Sequence, residues 1–172
     1  NKDEIIIYDN SDVLSSCRCW YNLIYFGHNP KLVHVLDGGL KKWKKENKII
    51  NNKKVSTSAS NYKANENRKL VKSKKEIDRN ITKKQFDIID ARNIERFKGQ
   101  VKEPRAGLRS GNIKNSSCIP FNQLINTNKT FKTKKEIVQI FNKNLKNIDS
   151  DNVIFSCGSG VTACVLALAY SL

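Results

Sequence analysis

The sequence predicts an α/β protein, a parallel sheet flanked by helices and built in two similar blocks. Apolar, β-branched runs such as Ile5-Ile6-Ile7, Val33-His34-Val35-Leu36, Ile88-Ile89 and Val153-Ile154-Phe155 read as strands of a buried parallel sheet. Helical patterns lie between them at short intervals, the strand–helix–strand order that parallel pairing requires. The blocks also repeat one pattern. Ile5-Ile6-Ile7-Tyr8-Asp9-Asn10-Ser11 and Val153-Ile154-Phe155-Ser156-Cys157-Gly158-Ser159 are each a strand, a polar turn and the approach to a helix.

In chain order, Glu4-Ile5-Ile6-Ile7-Tyr8-Asp9 is the first strand and Asn10-Ser11-Asp12 the turn after it. Ser15 or Ser16 is placed to cap a helix carrying Cys17, Trp20, Tyr21 and Ile24, which stops near Gly27. A second strand over Val33-His34-Val35-Leu36 is closed by Asp37-Gly38-Gly39, and an amphipathic turn around Leu40 and Trp43 follows. Residues 47–69 lose periodicity in favour of Asn, Lys and Ser, the mark of a solvated linker. Ser73-Lys74-Lys75-Glu76 is a capping box ahead of Ile77 and Ile81, and Phe86-Asp87-Ile88-Ile89-Asp90 is a strand. The polar segment 91–115, rich in Arg and Gly, is too long for a turn, and loops of that length are usually functional. Cys118-Ile119-Pro120-Phe121 reads as a short strand or strand end. Thr133-Lys134-Lys135-Glu136 is a second capping box, with Ile137, Ile140, Phe141, Leu145 and Ile148 at helical spacing behind it. The expected division is a partial first block at 1–50, a linker at 51–69 and a second block at 70–172. That second block lacks a strand after its last helix, which would leave apolar surface exposed.

The net charge of +16 comes mostly from lysines scattered among asparagines. That is a compositional habit rather than a nucleic-acid groove, which would cluster arginine with exposed aromatics. A positive field still favours small anionic substrates. No uninterrupted apolar run reaches the roughly 18–20 residues of a membrane span, so no membrane partner is expected. Cys17, Cys19, Cys118, Cys157 and Cys164 lack zinc-site spacing, and their expected state is free thiols in a reducing compartment.

The stretch richest in chemistry is Cys157-Gly158-Ser159-Gly160-Val161-Thr162, between the last strand and an all-round apolar helix over 161–170. A cysteine at the carboxyl end of a parallel strand sits where α/β proteins place ligands. Backbone N–H groups and the positive helix end would point at its sulfur and stabilise a thiolate or a bound anion. The local pattern leaves a second reading open, a structural cysteine at a strand end.

This loop resembles the active-site loop of the 3-mercaptopyruvate sulfurtransferases, within the tandem rhodanese superfamily. Further stretches agree in order and spacing. Asp90-Ala91-Arg92-Asn93-Ile94-Glu95-Arg96-Phe97-Lys98-Gly99, then Glu103-Pro104-Arg105 and Gly107-Leu108-Arg109-Ser110-Gly111, resemble the family's substrate-arginine segment. Phe26-Gly27-His28 with Val35-Leu36-Asp37-Gly38-Gly39-Leu40-Lys41-Lys42-Trp43 resembles the end of its catalytically silent first domain. The resemblance covers almost the whole chain except the linker. It implies a rhodanese-like fold of two tandem domains and sulfur transfer through a persulfide on Cys157. Arg96 and Arg105 would hold the donor's carboxylate; Gly158, Ser159, Gly160, Val161 and Thr162 would supply the amide cradle, with Ser159 also reaching the substrate. No metal or organic cofactor is implied. The implied partners are a small anionic sulfur donor and a thiol acceptor such as thioredoxin or a low-molecular-weight thiol, in the cytoplasm or mitochondrion.

Arg92 and Arg109 are expected to be structural, one of them pairing with Asp90, and Cys164 to be core. Asp9 or Asn10 stands where the second block has Cys157, which leaves the first block without a nucleophile. The chain departs from the family at Gly111-Asn112-Ile113-Lys114-Asn115, where Gly-His-Ile-Pro-Gly is usual, which questions local packing. It also lacks the early part of the first domain, from which the family draws an acidic residue and a histidine. Thiosulfate-preferring relatives carry charged residues after the cysteine; Gly158 and Ser159 favour mercaptopyruvate. The rival readings are a thiosulfate:cyanide sulfurtransferase and a non-catalytic rhodanese-type binding module. A rhodanese-like phosphatase would need arginine at position 163, which is Ala163.

Overall fold

The computed structural model describes residues 2–145 and 152–172. The first block is a βαβ unit: β1 (Ile5–Ile7), α1 (Ser16–Tyr25) and β2 (Val33–Val35), with β1 and β2 parallel and Ile6 opposite His34. A short helix α2 (Gly39–Lys45) follows. The second block comprises α3 (Lys74–Lys83), β3 (Asp87–Asp90), α4 (Ile94–Phe97), β4 (Ser117–Cys118), α5 (Lys134–Asn142), β5 (Val153–Ser156) and α6 (Val161–Ser171). Its three strands are parallel in the order β4-β3-β5, with Ile89 opposite both Ser117 and Phe155.

The two capping boxes act as read. Ser73 and Thr133 both close reciprocal capping boxes, their side chains accepting from the Glu76 and Glu136 amides while those carboxylates reach back. Ser15 and Ser16 do not cap α1 in the expected way. Ser15 makes no side-chain cap bond. The Asp9 carboxylate takes that role instead, accepting from the Ser16 amide at 2.5 Å, the Ser11 amide at 2.9 Å and the Ser15 hydroxyl at 3.3 Å. An anion at the end of β1 satisfies the first orphan N–H group of α1 better than a hydroxyl could. After β4 the chain turns at Pro120 into a 3₁₀ turn over Phe121–Leu124 rather than continuing as strand. Proline has no N–H to donate to a ladder. Of the apolar series behind Thr133, Ile137 and Phe141 are buried in α5, Leu145 is buried beyond its end, and Ile148 lies outside the described residues.

Residues 51–69 are exposed along their length. The end of this segment is nonetheless tied down, since the Asn65 and Asn67 amides donate to the Phe26 and Tyr25 carbonyls, and Tyr21 Oη donates to the Leu70 carbonyl.

The apolar interior falls into two clusters that meet at α6. One joins Ile89, Ala91, Ile119, Leu124, Phe141 and Leu166 around the three-stranded sheet. The other joins Leu14, Cys17, Trp20 and Val33 of the first block to Cys164, Val165 and Leu168 of α6. The all-apolar sequence of α6 is thereby explained, for one face packs on its own sheet and the other on α1. Apolar surface does remain open, at the free side of β5 and along the adjoining part of α6, where Ala163, Cys164 and Ala167 line it. There a groove of about 1180 Å³ runs past Val153, Ile154 and Phe155, bounded by Trp20, Ile24, Leu70 and Phe86. No helix among the described residues is long and apolar enough to cross a membrane.

Candidate active site

Parallel strands deliver Asp90, Cys118 and Cys157 to one edge of the sheet, at or just past the carboxyl ends of β3, β4 and β5. Cys157 follows β5 directly, and the chain turns through Gly158-Ser159-Gly160 into α6. Gly160, the N-cap of α6, adopts φ +80°, which glycine enters without strain. The helix has no side-chain cap, so its first amides are available to the sulfur.

Cys157 is half-buried. Burial pushes its thiol up, but hydrogen bonds from the Thr162 hydroxyl and the Ser159, Ala163 and Gly160 amides outweigh that and hold it below the ordinary thiol value. The Gly160 amide donates to Sγ at 3.0 Å. The contrast within the chain is sharp. Burial raises Cys17 to about 12 and Cys118 and Cys164 to about 11. Cys164 is 4% exposed and donates its S–H to the Gly160 carbonyl, as expected of a core thiol.

Arg96 leaves α4 and comes to this loop. A Cβ placed on Gly158 would stand 2.8 Å from Arg96 Nη2, so the missing side chain is what admits the guanidinium. Glu103, with 4% side-chain exposure, holds Arg96 through Nε at 3.1 Å and Nη2 at 2.6 Å. It also receives Arg92 Nη1 at 2.8 Å, while Arg92 turns Nε and Nη2 onto Asp90 and Nη2 onto the Gly111 carbonyl. Arg92 is therefore structural and pairs with Asp90, as expected. Glu103 consumes the Nε–Nη2 edge of Arg96, which leaves the Nη1–Nη2 edge for an anion. Arg105 is exposed and has no ion pair among the described residues, so the structure brings Arg96 to the loop but not Arg105.

Of the expected cradle, Ser159, Gly160 and Thr162 reach the sulfur; Gly158 instead makes room for Arg96, and Val161 begins α6. Three contributors were not singled out as site residues. Ala163 is the third residue of α6, a position at which an amide faces the cap. Glu103 was visible only as part of a motif. Arg18 comes from α1 and donates to the Gly160 carbonyl at 3.3 Å, a contact without any local signal. At the departure from the family pattern, Asn115 adopts φ +67° in glycine's place and its amide donates to the Ile81 carbonyl at 2.9 Å. Asn112 likewise donates to the Phe97 carbonyl at 3.0 Å. Among the described residues, no group of three or more His, Cys, Asp or Glu side chains is placed to hold a metal ion.

A family model described as a rhodanese-like domain matches residues 1–46 and 73–171. The chain belongs to the rhodanese family. It is 34% identical over 167 residues to the human 3-mercaptopyruvate sulfurtransferase, covering 95% of this chain and 55% of that protein. To the mitochondrial thiosulfate/3-mercaptopyruvate sulfurtransferase 1 of Arabidopsis thaliana it is 33% identical over 191 residues, covering 98% and 49%. To the thiosulfate sulfurtransferase of Rattus norvegicus it is 34% identical over 173 residues, covering 98% and 57%. The chain thus spans about half the length of the curated relatives it matches. Among solved structures, the 3-mercaptopyruvate sulfurtransferase SseA from Escherichia coli superposes with a TM-score of 0.82 at 31% identity, over 96% of this chain and 60% of that one. The rhodanese-like fold and its parallel sheets flanked by helices are as the sequence predicted.

Proposed function

We propose that this rhodanese-family chain moves sulfur from 3-mercaptopyruvate to a thiol acceptor through a persulfide on Cys157. The observation that carries the reading is the half-buried Cys157 sulfur, which is held below the ordinary thiol value by four hydrogen-bond donors and has Arg96 beside its loop. The thiolate attacks the donor's sulfur and a sulfur–sulfur bond forms. The donor's carbon–sulfur bond breaks, its electron pair stays on carbon, and a proton taken up there gives pyruvate. An acceptor thiolate then attacks the outer sulfur and releases Cys157 as thiolate, a ping-pong scheme. Cradle and helix end stabilise the negative sulfur at each stage, and no cofactor enters. Arg96 holds the donor carboxylate through its free edge; Arg105, solvated, closes on it from the 99–111 loop. Thioredoxin or a small thiol would serve as acceptor, and the cytoplasm or mitochondrion would supply the reducing setting.

The test is to incubate the chain with 3-mercaptopyruvate and weigh it. Gain of one sulfur atom, absent from Cys157→Ala and reversed by added thiol, is expected. An unchanged mass would sink the reading and leave a non-catalytic binding module. Thiosulfate is the rival donor, supported by relatives such as the rat enzyme. Faster loading from thiosulfate than from mercaptopyruvate would establish it.

A further inference from the structure

Gly160 is the residue at which the Cys157 loop turns into α6. At φ +80° and ψ 0° it occupies a conformation that glycine enters and leaves freely, so its orientation is set from outside. Its amide hydrogen faces Cys157 Sγ at 3.0 Å. Its carbonyl faces the opposite way, where it accepts from the Cys164 thiol at 3.0 Å and from Arg18 Nη1 at 3.3 Å. The Arg18 guanidinium also stands in the space that a Cβ on Gly160 would occupy. Arg18 belongs to α1, which packs along α6 through Cys17, Trp20, Cys164 and Leu168. Arg18 from α1 and Arg96 from α4 both border the loop, Arg96 beside Gly158 and Arg18 beside Gly160.

We propose that Arg18 is a positioning residue for the Cys157 loop: by holding the Gly160 carbonyl, it fixes the turn that aims the loop amides at the sulfur. The block without a nucleophile thus contributes a side chain to the geometry of the one that has it. A cation on that carbonyl also polarises the following peptide, whose N–H belongs to the first residue of α6, and so strengthens the positive end of the helix. The consequence for sulfur transfer rests on the function proposed above, whereas the consequence for the Cys157 thiol does not.

The test therefore uses alkylation, which requires no sulfur donor. The rate at which iodoacetamide modifies the Cys157 peptide is followed by mass spectrometry across pH 5 to 10 in the full chain and in Arg18→Ala and Arg18→Lys. Arg18 is exposed, so its truncation opens no cavity. Arg18→Ala is expected to move the midpoint upward by about half a unit and to slow modification at pH 7 about threefold. Arg18→Lys, which keeps a cation, is expected to recover part of that shift at an unchanged melting temperature. An Arg18→Ala profile superimposable on the parent overturns the proposal, as does a shift seen only with a lowered melting temperature. Failure of the parent chain to gain sulfur from mercaptopyruvate would remove the sulfur-transfer reading and leave this measurement standing.

Discussion

The Glu103 side chain is almost fully covered, and both of its oxygens are engaged by guanidinium groups. Arg96 and Arg92 lower its pKa against the opposing effect of burial, the Arg96 hydrogen bond being the largest influence. Such a group matters less for its net contribution than for what its loss exposes, since a buried charge without its partner is costly. Glu103→Ala is expected to destabilise the chain by about 2 kcal/mol in urea unfolding, since Arg96 loses its charged hydrogen-bond partner while Arg92 keeps Asp90. It should also raise the KM for the donor more than it lowers kcat, because Arg96 loses the brace that sets it beside Gly158. A KM left at the parent value would show that Arg96 is not positioned through Glu103. In the sequence this residue was part of a recognised segment, yet its role was hidden because its partners lie seven and eleven positions away.

At the scale of elements, each block sets an acceptor at the end of a strand to receive the first amides of the next helix. In the second block that acceptor is the Cys157 sulfur. In the first it is the Asp9 carboxylate, which stands at the matching place. Burial works against that carboxylate, but the Ser16 and Ser11 amides prevail and hold it below its ordinary value of 3.8. A depressed carboxylate contributes stability that is present above the unfolded value and lost as pH falls through the folded one. Asp9→Ala should therefore cost about 1 kcal/mol at pH 7. The gap between parent and variant should hold at pH 4 and narrow only as the pH is taken progressively below 3.8. A gap that persists at low pH would mean that packing, not the carboxylate, makes the difference. The repeated strand-turn-helix pattern sets Asp9 or Asn10 opposite Cys157, whereas the cap is expected from Ser15 or Ser16, residue types favoured there.

Across the molecule, α1 and α6 form the seam on which both blocks depend. Leu168 of α6 packs among Leu14, Cys17, Trp20 and Val33, all from the first block. Leu168→Ala removes buried methyl groups from that seam and is expected to cost about 3 kcal/mol. Because both blocks share the seam, the parent should unfold in one cooperative transition and the variant in one shifted transition, read by urea titration with fluorescence and circular dichroism. Two separate transitions, with only one displaced, would show that the blocks fold independently.

The sequence by itself determined most of the elements and pointed to the loop around Cys157. Capping boxes, β-branched runs and the glycines around Cys157 are local signals, and each acts over a few residues through hydrogen bonds or allowed backbone angles. It also determined the family, since the motifs recur in order along almost the whole chain. Only the tertiary structure decided which arginine reaches the loop, that Glu103 braces it, and that Arg18 crosses from the other block to Gly160. It also decided what covers the second face of α6. Those outcomes depend on where elements as near as Arg96 and Glu103, seven residues apart, and as far as Arg18 and Gly160, 142 apart, come to rest against one another. Packing settles that, and no local spacing encodes it.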